Sequence, residues 1–326
     1  MNTKQRVLKA LEENRAQYVS GQDLADKLNI TRTSVWKAIN SLKEEGFEIE
    51  SLTKKGYKLV QDDDNLSVAG IKKGLIRELK DIDIKIFNTI DSTNTEAKRM
   101  LYSEKIKDFT VLVSDEQTGG RGRQGKNFMS PKGTGVYFSI IIHPKENFDI
   151  SYFDLITVRA AVSVSQGIEE STGKFSEIKW VNDIFVDGKK VCGILSELDA
   201  DFETHTVKSV IIGIGINVNE PKEGFGEDLK DIAGSVGTDI IRNEILSTIL
   251  NRFYHNYFYE DEDKILKYYK EHSLVLGKNL TFEKNGKKYE GIGVDINEKG
   301  NLVVDTKKGR MTLSSGEVSV KGDFTR

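Results

Sequence analysis

Hydrophobic residues at the start of the chain recur at helical spacing and predict three short helices. Leu11 follows Val7 by four residues and Leu8 by three, and these residues mark the first helix. A capping signal at residues 20–23 starts the second helix, and Thr31 caps the third. Because the turn between the last two helices is short, the pattern is typical of a helix-turn-helix.

A two-stranded hairpin is predicted after the third helix. Residues 47–51 alternate between apolar and polar side chains, residues 54–57 form a turn, and residues 57–60 return. This hairpin resembles the wing of a winged helix-turn-helix. The acidic segment 62–65 then predicts a linker and a domain boundary.

Polar and cationic side chains on the third helix and the wing indicate contact with DNA bases and phosphates. They are Arg32, Thr33, Ser34, Trp36, Lys37, Lys54 and Lys55. The competing interpretation is a helical domain that binds protein, with lysines that are merely solvated. The combination of a wing with this helix face favours DNA.

Strand and helix patterns alternate through the middle of the chain, which predicts a mixed α/β domain over residues 66–275. Strands are predicted at 109–116, 136–143, 178–180, 184–186, 191–198 and 207–217, and helices at 152–172 and from Ile241 to Tyr257. The Asp187-Gly188 pair predicts a hairpin turn.

Short strands separated by turns predict a small β-barrel over residues 276–326. The strands are predicted at 279–284, 289–296, 302–306 and 310–320, with turns at 285–286 and 300–301. With residues 1–65 as the first domain, the chain is predicted to be a multidomain α+β protein.

Composition and charge limit the classes of function. Of 326 residues, 37% are apolar and 30% charged, and the net charge is −3, so any nucleic-acid binding must be local. No apolar run approaches the ~20 residues of a membrane helix, and no signal peptide is read at the start. Since Cys192 is the single cysteine and the four histidines are scattered, we expect a reducing, cytoplasmic location and no structural zinc site.

The glycine-rich segment 117–127 carries the candidate chemistry. Its Gly120-x-Gly122-x-x-Gly125 spacing matches the dinucleotide fingerprint, and its end matches most of a P-loop. Both motifs require a helix directly afterwards, and the proline and glycines at 131–135 exclude one. We therefore interpret the segment as a mobile basic loop, a feature that is often merely solvated.

A second cluster of charges strengthens the prediction of a site. Residues 179–183 end one strand, and Lys190 lies within an apolar strand, on the opposite face from Lys189. A lysine there is costly without an anionic partner, although an edge position would tolerate it. Arg121 and Arg123 can pair with phosphate or carboxylate groups, so the two clusters together predict a site for anionic ligands.

These motifs together resemble those of the biotin protein ligase family, in its bifunctional form that is also a biotin operon repressor. The resemblance covers nearly the whole chain. The matching segments are 91–94, Gln117 with 120–125, 179–183, 190–195 and 213–217. Val181, where the family usually has proline, and Phe128, where some members carry tryptophan, depart from its pattern.

The resemblance implies an ATP-dependent reaction in two steps. Biotin and ATP, with Mg²⁺, form biotinyl-5′-AMP and pyrophosphate, and biotin then passes to a lysine of the biotin carboxyl carrier domain of acetyl-CoA or pyruvate carboxylase. The resemblance further implies an SH3-like C-terminal domain and an adenylate-bound homodimer that represses by binding operator DNA.

The resemblance also implies roles for individual residues. The catalytic residues would be Lys190, Arg121, Arg123 and Lys179. The biotin contacts would be Ser92, Thr93, Asn94, Gln117, Arg121, Gly122, Arg123, Lys190 and Gly193, and the contacts to ATP or adenylate Asn182, Asp183, Gly215 and Asn217.

Other functions compete with this interpretation. A ligand sensor with a decayed ligase domain would not need Arg121, Arg123 and Lys190. A lipoate or octanoate ligase shares the fold, but the wing and the glycine loop favour biotin. A ligase whose N-terminal domain no longer binds DNA is the weakest alternative.

Overall fold

The computed structural model describes residues 2–61, 63–103, 105–144, 148–201, 206–238, 240–284, 286–314 and 321–322. The chain divides into two compact units. The first unit takes in residues 1–80 and 241–247, and the second takes in residues 81–240 and 248–326.

The first unit contains the predicted helix-turn-helix and wing. Its elements are α1 (Thr3–Glu13), α2 (Gly21–Leu28), α3 (Arg32–Glu44), β1 (Ile49–Leu52), β2 (Gly56–Leu59) and α4 (Val68–Gly74). Ser20 and Thr31 cap α2 and α3 by accepting hydrogen bonds from backbone N–H groups three residues later. Left-handed Asn29 makes the turn between these helices, which confirms the predicted arrangement.

The acidic segment after the wing is bonded into the first unit, whereas a simple linker would be solvated. Asp63 is 1% exposed, and its carboxylate accepts hydrogen bonds from the backbone N–H groups of Glu48 and Asn65. Asp64 pairs with buried Arg242 at 2.7 Å between Oδ2 and Nε. Buried carboxylates persist because these donors replace water. Asp62 lies outside the described residues.

The second unit is built on a mixed sheet. In its described part the strand order is β3-β4-β5-β9-β8-β7-β6, and β3 with β4 is the parallel pair. The strands are β3 (Ile84–Phe87), β4 (Thr110–Ser114), β5 (Gly135–Ile142), β6 (Glu177–Lys179), β7 (Asp183–Val186), β8 (Lys189–Asp201) and β9 (Thr206–Asn217). The predicted strands are confirmed to within a few residues, and β3 was not predicted.

Helices cover this sheet. They are α5 (Thr93–Ser103), α6 (Phe153–Thr172), α7 (Arg242–Phe258) and α8 (Glu262–Glu271). Helix α6 is buried along most of its length, and Gly167 lets Ile249 approach it so closely that an added Cβ would lie 2.4 Å from Cγ1. Of the four helices, α6 and α7 were predicted.

The C-terminal part of the second unit is an antiparallel sheet. Its described strands are β10 (Asn279–Lys284), β11 (Lys287–Ile296), β12 (Leu302–Thr306), β13 (Gly309–Leu313) and β14 (Lys321–Gly322), in the order β13-β12-β11-β10-β14. The strand predicted over 310–320 ends at Leu313; residues 315–320, and Asn285 of the predicted turn, lie outside the described residues. Among the helices that are described, none is long and apolar enough to span a membrane.

Candidate active site and DNA-binding surface

A cavity of about 390 Å³ opens in the second unit beside the centre of its large sheet. It is lined by residues from the start of α5, the glycine-rich segment, β7, β8 and β9, with Leu229 and Ile232 from the segment that follows β9. One end of the lining is rich in neutral hydrogen-bonding side chains, and the other is rich in charge. The cavity therefore offers two chemically different subsites, a polar end and a charged end.

The polar end is a connected chain of hydrogen bonds around Thr93 and Asn94, both buried at the start of α5. Gln117 accepts from the backbone N–H of Thr93 at 2.9 Å, and its own amide donates to Ser130 at 2.9 Å. Ser139 lies 2.7 Å from the Thr93 hydroxyl and 2.6 Å from Asn94 Oδ1. Such a chain fixes which atoms remain free to meet a ligand.

The glycine-rich segment folds into a tight hairpin between β4 and β5. Its two sides are joined by hydrogen bonds from Gly122 N to Lys126 O (2.7 Å) and from Phe128 N to Gly120 O (2.9 Å). The tip bends at Gln124 and Gly125, whose φ angles are positive. As predicted, no α-helix follows in the described residues 126–134, so neither the dinucleotide motif nor the P-loop is formed.

Phe128 packs from this hairpin onto a floor made of two glycines. Gly193 on β8 and Gly215 on β9 are paired in register. An added Cβ would lie 3.2 Å from the Phe128 ring at Gly193 and 2.5 Å from it at Gly215. The glycines are therefore required by close packing, since an alanine at 215 would displace the ring.

The charged end is organised around Asp183. Lys190 Nζ lies 2.7 Å from Asp183 Oδ1, and Asn182 Nδ2 donates to the same oxygen at 3.0 Å. Arg123 Nη1 donates to Asn182 Oδ1 at 3.1 Å. Burial lowers the pKa of Arg123, against the opposing effects of Asp183 and Asp154, and the guanidinium remains charged at neutral pH.

A β-bulge lies beside Lys190 on β8. Phe185 pairs with Lys190 whereas Ile184 pairs with Cys192, so β8 carries one extra residue at this point. Lys190 lines the cavity, on the opposite face from Lys189, as the alternation predicted. Lys189 instead lines a separate cavity of about 560 Å³ and donates to Lys230 O at 2.9 Å. Because β8 lies inside the sheet, Lys190 is not an edge lysine.

Nearly all the residues implied to form the site line this cavity. They are Ser92, Thr93, Asn94, Gln117, Arg121, Gly122, Arg123, Lys179, Asn182, Asp183, Lys190, Gly193 and Gly215. Asn217 does not line it: Asn217 is buried, and its amide donates to Gly234 O at 3.0 Å. Asn217 thus holds the segment after β9, which carries Leu229 and Ile232 over the cavity.

Glu197 is a residue near the site that sequence reasoning missed. It lies on β8, where its carboxylate accepts from Asn94 Nδ2 at 2.9 Å and from Lys98 Nζ at 2.7 Å, and it lies 3.8 Å from Arg121 Nη1. The signal that could have found it is an acidic residue in an otherwise apolar strand, the same signal that pointed to Lys190.

A turn of the C-terminal sheet buttresses the charged end. The indole Nε1 of buried Trp180 donates to Gly300 O at 3.0 Å, and Asn301 Nδ2 donates to Asp154 Oδ2 at 2.9 Å. Gly300 has a φ of +79°, and an added Cβ there would lie 3.0 Å from the backbone of Asp154. The peptide bond between Trp180 and Val181 is cis. This turn therefore supports the segment that carries Asn182 and Asp183.

The residues implied to contact DNA lie on exposed parts of the first unit. On α3, Arg32, Thr33, Trp36 and Lys37 are exposed, and Trp36 keeps 55% of its surface accessible. Ser34 is half-buried, since its backbone N–H and its hydroxyl both bond to the Thr31 cap. Lys54 and Lys55 are exposed at the tip of the wing. An exposed tryptophan among cations on α3, the second helix of the helix-turn-helix, forms a surface that suits a nucleic-acid groove.

Comparison with known proteins agrees with this architecture. The model of the biotin/lipoate A/B protein ligase family matches residues 86–217, a helix-turn-helix domain matches residues 3–58, and the biotin protein ligase C-terminal domain matches residues 275–321.

Similar proteins extend over almost the whole chain. The bifunctional ligase/repressor BirA of Bacillus subtilis (strain 168) is 35% identical over 93% of this chain and 94% of its own length. The biotin–[acetyl-CoA-carboxylase] ligase of Mycobacterium tuberculosis is 26% identical over 70% of this chain and 85% of its own. A solved biotin protein ligase from Aquifex aeolicus, in complex with biotin and ATP, superposes with a TM-score of 0.63 at 31% identity, covering 74% of this chain and 99% of that one. The chain therefore belongs to the biotin protein ligase family, in its bifunctional ligase/repressor form.

Proposed function

We propose that this protein joins biotin to an acceptor lysine at the expense of ATP and represses transcription when it carries the adenylate. The observation that carries the proposal is the single cavity with a neutral polar end and a charged end. Biotin has the matching halves, because its ureido ring needs both donors and acceptors while its valerate chain ends in a carboxylate.

The polar end suits the ureido ring. Ser92, Thr93, Asn94 and Gln117 supply hydroxyl and amide groups there. In the proposed complex Gly122 and Gly193 give the ligand close access to the backbone. The glycine hairpin and Phe128 then cover the reacting groups and shield the anhydride from water.

The charged end suits the reaction itself. In the first step, a carboxylate oxygen of biotin attacks the α-phosphorus of ATP, and the bond to pyrophosphate breaks. Two anions must meet, so we assign Lys190, Arg121, Arg123 and Lys179 to neutralising the charge that builds up on the phosphoryl oxygens. Asn182, Asp183 and Gly215 are proposed to contact the nucleotide, and Asn217 to support it from behind.

Magnesium fits this end of the cavity. Mg²⁺ is usually held by one or two carboxylates together with substrate phosphates and water, and Asp183 offers one carboxylate in the cavity. Among the described residues no cluster of three metal-binding side chains occurs. The ion would screen the charge of the phosphates.

In the second step, we propose that the neutral ε-amine of an acceptor lysine attacks the carbonyl carbon of the anhydride and releases AMP. The acceptor is proposed to be the biotin carboxyl carrier domain of acetyl-CoA or pyruvate carboxylase. We further propose a cytoplasmic location, which the single cysteine supports.

For repression, we propose that the adenylate-bound protein forms a homodimer and binds operator DNA through α3 and the wing. Support comes from the exposed Arg32, Trp36 and Lys37 on α3 and from Lys54 and Lys55 on the wing. We further propose that residues 1–65 form the DNA-binding domain, 66–275 the ligase and 276–326 an SH3-like domain.

The decisive experiment for the ligase is native mass spectrometry of the protein mixed with biotin, ATP and Mg²⁺. We expect a retained mass equal to biotinyl-5′-AMP, together with release of pyrophosphate. A parallel sample with lipoate in place of biotin should show no adduct. Retention of lipoyl-AMP, or of no adenylate at all, would contradict the proposed substrate.

The repressor role is tested by a second protein that lacks residues 1–65. We expect it to form adenylate at the rate of the full chain and to lose adenylate-dependent binding to DNA upstream of the biotin genes. Unchanged DNA binding after this deletion would overturn the assignment of α3 and the wing.

A further inference from the structure

Glu197 lies directly behind the polar end of the cavity and does not line it. Its side chain is 17% exposed, and it bonds to Asn94 Nδ2 and Lys98 Nζ. The carboxylate would face an unfavourable environment without these donors, and a buried charge is retained only when it is well paired. Neither the resemblance nor the alternation of the strand gave this residue a role.

The carboxylate is ionised and therefore acts as an acceptor only. Burial raises the pKa of Glu197, but hydrogen bonds from Lys98 and Asn94 and the nearby charges of Lys98 and Arg121 outweigh this, so that the pKa lies below its usual value. At neutral pH the group has no proton to give, and Asn94 must turn its NH₂ group toward Glu197.

Asn94 in turn fixes the direction of the next hydrogen bonds. Its NH₂ group donates to Glu197 and to Leu195 O (3.1 Å), so its Oδ1 faces Ser139 at 2.6 Å. An amide oxygen can only accept, so Ser139 must donate its single proton to Asn94. Ser139 then has no proton left for Thr93.

The Thr93 hydroxyl lies 2.7 Å from Ser139 and 3.3 Å from Gln117 Oε1, so it donates its proton to one of these two acceptors, of which Ser139 is the nearer. The Thr93 hydroxyl proton is thus used within the protein, and the free lone pairs of Thr93 Oγ1 can accept a hydrogen bond from a ligand in the cavity. The amide of Asn94 cannot drift out of this arrangement, because Gly213 packs against it: an added Cβ there would lie 2.2 Å from Oδ1. The direction of the hydrogen bonds that run from Asn94 through Ser139 to Thr93 is thus set at Glu197.

We propose that Glu197 is a positioning residue that sets the direction of this hydrogen-bond chain, so that Thr93 presents an acceptor to an N–H group of the ligand. This inference rests on the proposed function, which puts the ureido N–H groups of biotin at the polar end.

Isothermal titration of biotin, without ATP, tests the proposal in the full-length protein. Glu197→Gln keeps the shape but removes the obligatory acceptor, and we expect the Kd for biotin to rise about 10- to 100-fold, as for loss of a hydrogen bond to a charged group. The Kd for ATP should change by less than about threefold, because Glu197 meets the cationic residues of the charged end only through its 3.8 Å ion pair with Arg121. The melting temperature of each variant is measured alongside.

Two further variants separate polarity from simple charge or packing. Asn94→Asp should weaken biotin binding to a similar extent. Combining it with Glu197→Gln reverses the donor and the acceptor, so the Kd for biotin of the double variant should be about tenfold lower than that of either single variant. Lys98→Met is the matched control, since it removes a charge from the same cluster but leaves the Glu197–Asn94 bond; its Kd should stay within about threefold of the wild type.

The outcomes are distinct. Wild-type affinity in Glu197→Gln, an equal loss in Lys98→Met, or no recovery in the double variant would each overturn the role of Glu197 while leaving the ligase assignment intact. A wild-type protein that binds no biotin would instead overturn the proposed function itself.

Discussion

Replacing Lys190 by methionine is the sharpest test of the charged end of the cavity. The Lys190 ammonium lies 2.7 Å from Asp183 and faces the cavity, and 29% of the side chain is exposed. Methionine keeps most of the side-chain volume and removes the charge, so lost packing does not complicate the result.

The expected loss follows from electrostatics. A unit charge about 4 Å from a phosphoryl oxygen contributes about 4 kcal/mol at an effective dielectric constant of about 20. If that interaction forms fully only in the transition state, its loss slows adenylate formation by about 10³-fold. Loss of one oxyanion-stabilising donor in other enzymes costs about 10²–10³-fold, which agrees.

The assay is single-turnover formation of biotinyl-5′-AMP from labelled ATP with saturating biotin. Lys189→Met is the matched control, because the neighbouring lysine donates to Lys230 O and lines the other cavity. It should react within about threefold of the wild type. A Lys190→Met protein within tenfold of the wild type, or an equally slow Lys189→Met protein, would refute the reasoning.

Three other predictions concern packing, a thiol and DNA. Gly215→Ala should displace the Phe128 ring, because the new Cβ would lie 2.5 Å from Cε1 of that ring. This displacement should raise the KM for biotin and for ATP at least tenfold. Steady-state kinetics that match the wild type would contradict this prediction. Burial raises the pKa of the Cys192 thiol, so the native protein should resist alkylation by iodoacetamide from pH 7 to pH 9. The urea-unfolded chain should instead react faster as the pH rises through the usual thiol pKa of about 8.5. Rapid labelling of the native protein would be inconsistent with the burial of Cys192. Replacing Lys54 and Lys55 by alanine should weaken operator binding, as measured by fluorescence anisotropy. The slope of the logarithm of the DNA association constant against the logarithm of the salt concentration should become shallower by about 0.9 for each lost phosphate contact. An unchanged slope would show that the wing lysines do not contact DNA.

The elements that sequence predicted well are those with local signals. The caps Ser20 and Thr31 and the left-handed turn residues Asn29 and Asp187 each act through their own backbone neighbours. Long apolar strands such as β5 and β9 were also found, because burial on both faces leaves little doubt about their type. The sequence resemblance implied which residues form the site, and nearly all of them line one cavity.

The features that sequence missed depend on contacts between distant residues. Helix α5 begins at Thr93 and Asn94, whose polar side chains point inward to Ser139 and Glu197, so no apolar stripe marks its start. The bulge beside Lys190 is set by how β8 pairs with β7, and alternation alone cannot reveal an extra residue. The acidic segment 62–65 predicts only a linker, because the sequence does not show that Glu48 and Asn65 donate to Asp63.

The turn around Gly300 bears on how this enzyme could be divided for protein engineering. A cut just before residue 275 would fall between the segments that the ligase family model and the C-terminal domain model match, residues 86–217 and 275–321. The fragment that remained would lose the carbonyl that holds the Trp180 indole and the amide that holds Asp154, and the indole N–H would then be exposed or left without an acceptor. Two halves made this way would have to form the Trp180–Gly300 and Asp154–Asn301 hydrogen bonds again, so a split reporter is better divided at an exposed loop elsewhere.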